Sequence, residues 1–217
     1  MRNTLIASIL GLILFIAVPT TAFASTSGEY LTDSIDLDNG YDTDILTTNK
    51  DTEELKHLLK TVESYIDLEG SGLFDEERAM SNNESQEVME IGAIYNDMLR
   101  AEEQGDYEKI NRRKRAIIKG ITHYGNWCGK GNNGEPPIDI LDAQCEKHDR
   151  CYAANGMWNS ECDLQLVHNI AKNFGAINEI GGHTRNYAVA AMSLFAWKAG
   201  GIAVLKAQYP ILGPFLP

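Results

Sequence analysis

The run Cys145-Glu146-Lys147-His148-Asp149-Arg150-Cys151-Tyr152 holds the side chains of this sequence best suited to chemistry. As helix it places Cys145, His148, Asp149 and Tyr152 at i, i+3, i+4 and i+7 on one face, with Cys151 turned elsewhere. His148 and Asp149 are neighbours on a helix with 3.6 residues per turn, so they point about 100° apart and serve different partners. An imidazole can take a proton near neutral pH. A carboxylate offers oxygen to a hard cation such as calcium, which also accepts backbone carbonyls. Tyr124-Gly125-Asn126-Trp127-Cys128-Gly129-Lys130-Gly131 is a glycine-rich loop able to turn several carbonyls toward one ion.

The four cysteines, Cys128, Cys145, Cys151 and Cys162, lie in one short stretch. Two readings use them. Cys128, Cys145, His148 and Cys151 have the types and spacing of a structural zinc site, which leaves Cys162 unexplained. In an oxidising compartment the same four make two disulfides with three pairings open. The amino terminus favours export: Arg2, an apolar run over 5–18 and then Ala22-Phe23-Ala24 predict a cleaved signal peptide over 1–24. That run is shorter than the roughly 20 apolar residues of a spanning helix.

The elements around these residues are helical by pattern. Residues 25–50 are polar and rich in Asp, and predict disorder or a loosely held linker. Leu55, Leu58, Leu59, Val62 and Ile66 then mark a helix face, opened by an Asp51/Glu54 capping pair and closed at Glu69-Gly70-Ser71-Gly72. A second helix is predicted over 85–101, with Val88, Ile91, Ile94, Tyr95, Met98 and Leu99 inward, and a third starting at Asp106. After the irregular stretch 125–137 come helices over about 140–154 and 160–174. An apolar helix over 186–207, interrupted at Gly200-Gly201, is expected to pack on these two, with docking at a bilayer surface as its alternative. No strand run is predicted. Charge divides the chain: residues 25–111 hold 23 acidic side chains against 6 basic, whereas residues from Arg112 onward hold 12 basic against 8 acidic.

Read together, Tyr-Gly-x-x-Cys-Gly-x-Gly at 124–131, Leu-Asp-x-x-Cys-x-x-His-Asp-x-Cys-Tyr at 141–152 and the later Cys162-Asp163 pair resemble the secreted phospholipase A2 family. The resemblance implies an all-α fold in which two antiparallel helices are disulfide-linked beside a calcium loop. It implies release of the sn-2 fatty acid from phospholipid membranes or micelles, and no nucleic-acid partner is expected. His148 would be the general base, Asp163 would fix its imidazole, and Tyr152 would hold Asp163. Calcium would be bound by the Asp149 carboxylate and the carbonyls of Trp127, Gly129 and Gly131, with the Gly129 N–H helping to stabilise the oxyanion. The disulfides it implies are Cys128–Cys145 and Cys151–Cys162.

The remainder of the chain follows from that assignment. Residues 106–217 would form the catalytic domain, and the acidic helical region 51–105 is expected to be either a pro-segment, with Arg112-Arg113-Lys114-Arg115 as its processing site, or part of the folded domain. Two departures bear on the site: Asn132 stands where the family usually has glycine, and the link from Tyr152 to Cys162 is too short for the family's hairpin. A phospholipase-like module without catalysis, binding membranes, is the other class of reading.

Overall fold

Thr48 starts the first helix. Its hydroxyl accepts the Asp51 N–H at 3.2 Å while the Asp51 carboxylate accepts the Thr48 N–H at 2.8 Å, a complete capping box. The expected Asp51/Glu54 pair is therefore displaced by one turn, with Asp51 taking the N3 place of the box in place of the cap. The computed structural model describes residues 47–103, 123–129 and 132–217, all within the compact unit Asn39–Pro217.

From that cap, α1 (Asn49–Glu63) buries Leu55, Leu58, Leu59 and Val62, and ends before the predicted glycine stop. The connection to the short α2 (Glu76–Ser81) has a pattern of its own. Asp67, Glu69, Ser71, Gly72 and Asp75 occupy the first, third, fifth, sixth and ninth places of a twelve-residue calcium-binding loop, but Arg78 stands twelfth, where such loops need a bidentate Glu. Gly72 takes φ +71°, as the sharp turn requires. The loop is held by protein groups: Asn96 accepts the Phe74 N–H at 2.8 Å and donates to the Phe74 carbonyl at 3.0 Å, and the Tyr95 hydroxyl donates to the Gly72 carbonyl at 2.7 Å. The Arg78 guanidinium lies over the Tyr65 ring, 3.9 Å from Asp75. Next, α3 (Gln86–Glu103) turns Val88, Ile91, Ile94, Tyr95, Met98 and Leu99 into the core as predicted.

A two-residue antiparallel ladder, unforeseen because it is too short for any periodicity, joins β1 (His123–Tyr124) to β2 (Cys128–Gly129). Then come α4 (Ile140–Asn155), α5 (Ser160–Lys172), the short α6 (Phe174–Ile180), α7 (Gly182–Lys198), α8 (Ile202–Gln208) and a closing 3-10 turn at Pro210–Leu212. The described residues are thus mostly helical. The helix predicted from Asp106, and the Arg112–Arg115 cluster, lie outside them.

α7 is the hub. It is buried along most of its length, from Thr184 to Ala196, as a surrounded helix is, and it packs against α1, α3, α5, α6 and α8. The single helix expected over 186–207 is two, because Gly200 and Gly201 take φ +96° and +106° and turn the chain by 75°. Among the described residues no single helix is long and apolar enough to cross a membrane, although this bent pair passes jointly by length and composition. Buried side chains of α1 and α3 belong to the same apolar cluster as those of α5, α6 and α7. Charge joins them as well: Arg185 of α7 pairs with Glu54 of α1 at 3.1 Å and with Glu87 of α3, and Asn186 donates to Glu90 at 3.0 Å.

Candidate active site

Asp139 caps α4, accepting the Asp142 N–H at 3.0 Å, and so sets where the face carrying His148 begins. His148 sits two turns in, with its side chain 10% exposed. Its Nε2 lies 2.9 Å from Oδ1 of Asp163, in the first turn of α5, and the Tyr152 hydroxyl donates to the same oxygen. The link between the helices is only a few residues long and the Cys151–Cys162 disulfide spans it, with 5.7 Å between Cα atoms, so Asp163 is held opposite the histidine. On its other flank the His148 ring meets Phe195 of α7 edge-on, with centroids 5.2 Å apart.

The loop before α4 is organised by a side chain to which the sequence reading gave no role. Asp142 is wholly buried, and its carboxylate accepts the N–H groups of Asn126 and Trp127 at 2.8 Å each, Ile138 at 3.0 Å and Cys128 at 3.2 Å. Four backbone donors on one carboxylate draw the loop around it. Gly125 turns at φ +61°, and a Cβ there would lie 2.4 Å from the Asp142 carboxyl, so only glycine fits. The Cys128–Cys145 disulfide ties loop to helix, with Cα atoms 4.9 Å apart. Since all four cysteines are in disulfides, the zinc reading of Cys128, Cys145, His148 and Cys151 is overturned.

Asp149, next along α4, faces this loop: the Asn132 amide donates to its Oδ2 at 2.9 Å. Burial raises the carboxyl above its ordinary value, against the lowering influence of Asn132 and His148. A carboxylate that burial disfavours, beside a loop with carbonyls to offer, is suited to a hard cation. Trp127 and Gly129 lie in that loop, the first buried and the second exposed at φ +90°, whereas Gly131 lies outside the described residues. Among the described residues no group of three or more His, Cys, Asp or Glu side chains suits a metal. The expected calcium set holds only one carboxylate, so its fit rests on Asp149 and the loop.

Short segments of this chain match phospholipases A2. Phospholipase A2-beta of Arabidopsis thaliana is 50% identical over 42 residues, 18% of this chain and 29% of that protein. Phospholipase A2-gamma of the same plant is 39% identical over 62 residues, 27% and 33% of the two chains. The basic phospholipase A2 of Micrurus mipartitus is 46% identical over 35 residues, 16% and 29% of the two. The chain therefore spans no more than 33% of the length of these curated relatives. No family model and no solved structure matches it. These partial matches support a relationship to phospholipases A2, and with it a lipolytic hydrolase at the level of the family.

Several residues at the site were given no role from sequence. Asp142 carried a signal, as a carboxylate among Ile140, Leu141 and Ala143 must be buried with partners. Asn132 was noticed only as a departure from glycine. Phe195 had none, because its contact with His148 crosses from a distant helix. Tyr124, whose hydroxyl donates to Asp139 and lies 2.9 Å from that of Thr184, is held protonated by burial and by the Asp139 carboxylate, and locks the loop to α7.

Proposed function

We propose that the protein is a secreted, calcium-dependent phospholipase A2, releasing the sn-2 fatty acid from glycerophospholipids at a membrane or micelle surface. The observation that carries this reading is the contact of His148 Nε2 with Asp163 at 2.9 Å beside Asp149 and the Asp142-centred loop. Two disulfides in one small region favour an oxidising, extracellular setting.

The chemistry follows from the hydrogen bonds. An ionised Asp163 only accepts, so the neutral imidazole keeps its proton on Nε2 and leaves Nδ1 with a free lone pair. Nδ1 is then the base that takes a proton from an attacking water, and Asp163 stabilises the imidazolium that results. Water adds to the ester carbonyl carbon, the bond to the glycerol oxygen breaks, and the proton held by His148 passes to that oxygen. Tyr152 keeps Asp163 aligned throughout. No acyl-enzyme forms. The Asp149 carboxylate and the carbonyls of Trp127, Gly129 and Gly131 would hold calcium. When bound, the ion supplies Lewis acidity toward the ester carbonyl oxygen, and the Gly129 N–H would donate to the same oxygen.

His148→Gln and Asp149→Asn divide these roles. The first is expected to lower fatty-acid release by about 10²–10⁴-fold with calcium binding unchanged by calorimetry, and the second to weaken binding and turnover together. Release by the histidine variant within a few-fold of the wild type would refute the base.

A further inference from the structure

Asn132 brings a side chain to a place where the family usually has glycine. Its amide donates to Oδ2 of Asp149 at 2.9 Å, so the carboxylate expected to hold calcium meets a polar group of the loop. Asn133 fixes the backbone beside it. The Asn133 N–H donates to the Asn126 carbonyl at 3.1 Å, its side-chain amide donates to Oδ1 of Asn126 at 2.8 Å, and its own Oδ1 accepts the Glu135 N–H at 2.9 Å. Asn126 is bound in turn through its N–H to Asp142. Although Asn132 is exposed, the residue next to it is thus tied to the buried carboxylate around which the loop is drawn.

A side-chain amide carries donors at one end and an acceptor at the other, and a half-turn about its last bond exchanges them without moving the backbone. Toward a carboxylate alone only the NH2 end is attractive. Toward a cation only the oxygen is, and calcium takes Asn carbonyls among its ligands. Two oxygens bound to one calcium ion lie roughly 2.8–3.4 Å apart when they are neighbours in a pentagonal bipyramid or an octahedron. The 2.9 Å between the Asn132 amide and Asp149 falls in that interval.

We propose that Asn132 is a calcium ligand: its side-chain carbonyl turns to the ion that Asp149 holds, and its NH2 group returns to Asp149 when the ion leaves. The inference rests on the calcium-dependent reading above, and it gives the site a second side-chain oxygen, which a glycine cannot supply. An oxygen already at ligand spacing, on backbone held by Asn133, is gained with little further ordering.

The test is a calorimetric titration of calcium into the full chain without lipid, for the wild type, Asn132→Ala and Asn132→Asp. Asn132→Ala removes the amide from an exposed position and is expected to weaken binding about tenfold. Asn132→Asp keeps an oxygen in the same place, adds charge, and is expected to bind at least as tightly as the wild type. Asn132→Gly, the residue usual in the family, is expected to repeat the loss. Unchanged binding by Asn132→Ala would overturn the assignment, and tighter binding would do so by showing that the amide only occupies the ion's place. Weakening by Asn132→Asp as well as by Asn132→Ala would also overturn it, since the bond to Asp149 rather than an oxygen ligand would then matter. Should the wild type bind calcium yet release no fatty acid from phospholipid, the phospholipase reading fails while the affinities still judge Asn132. A wild type that binds no calcium defeats both.

Discussion

Asp142 shows how much of a candidate site can depend on one carboxylate outside the His148–Asp163 pair. Replacing it with Asn puts an NH2 group where an oxygen now accepts backbone N–H bonds, leaving buried donors facing a donor. Asp142→Asn is expected to cost about 2–4 kcal/mol in urea unfolding, and a loss below about 0.5 kcal/mol would mean that the loop does not rely on it. At this scale the sequence was informative wherever chemistry is local. His148, Asp149 and Tyr152 share a helix face because of their spacing, and the disulfide beside Asp163 brings it within 2.9 Å of His148. It was uninformative wherever partners come from another element. Nothing near His148 announces Phe195, and nothing near Trp158 announces Lys198, since both contacts depend on how α7 crosses the site.

At the level of elements, apolar spacing disclosed α1, α3, α4 and α5, each with enough turns to show a period. It missed α2 and α6, six and seven residues long, whose ends are set by Asp75 and by the packing of Phe174 and Ile177. The Asp67–Arg78 loop belongs with these misses. Its residues match a calcium-binding loop until the last place, where Arg78 stands, and the Asn96 and Tyr95 bonds hold its backbone. Arg78→Glu is expected to complete the ligand set and add one calcium site, read by calorimetry as one more ion bound per chain than in the wild type. Identical stoichiometry in the two proteins would contradict the comparison.

For the whole molecule, the question left by the charge asymmetry is whether the acidic part covers the part carrying the candidate site or helps to build it. α1 and α3 bury their apolar faces against α7, and their Glu54, Glu87 and Glu90 pair with Arg185, His183 and Asn186. Removing them would expose one side of the central helix. A chain starting at Ala116 is therefore expected to lack a cooperative unfolding transition. A shorter chain that folds and hydrolyses anionic vesicles faster than the full one, with the difference shrinking as salt rises, would instead support a masking pro-segment. The claim on which all of this turns is that the site hydrolyses phospholipid esters with calcium, and it is tested most directly by fatty-acid release from phospholipid vesicles in one preparation, first with calcium, then with a chelator, then with calcium restored. The account predicts release that falls to background on chelation and returns with the ion; release indifferent to the chelator would contradict it.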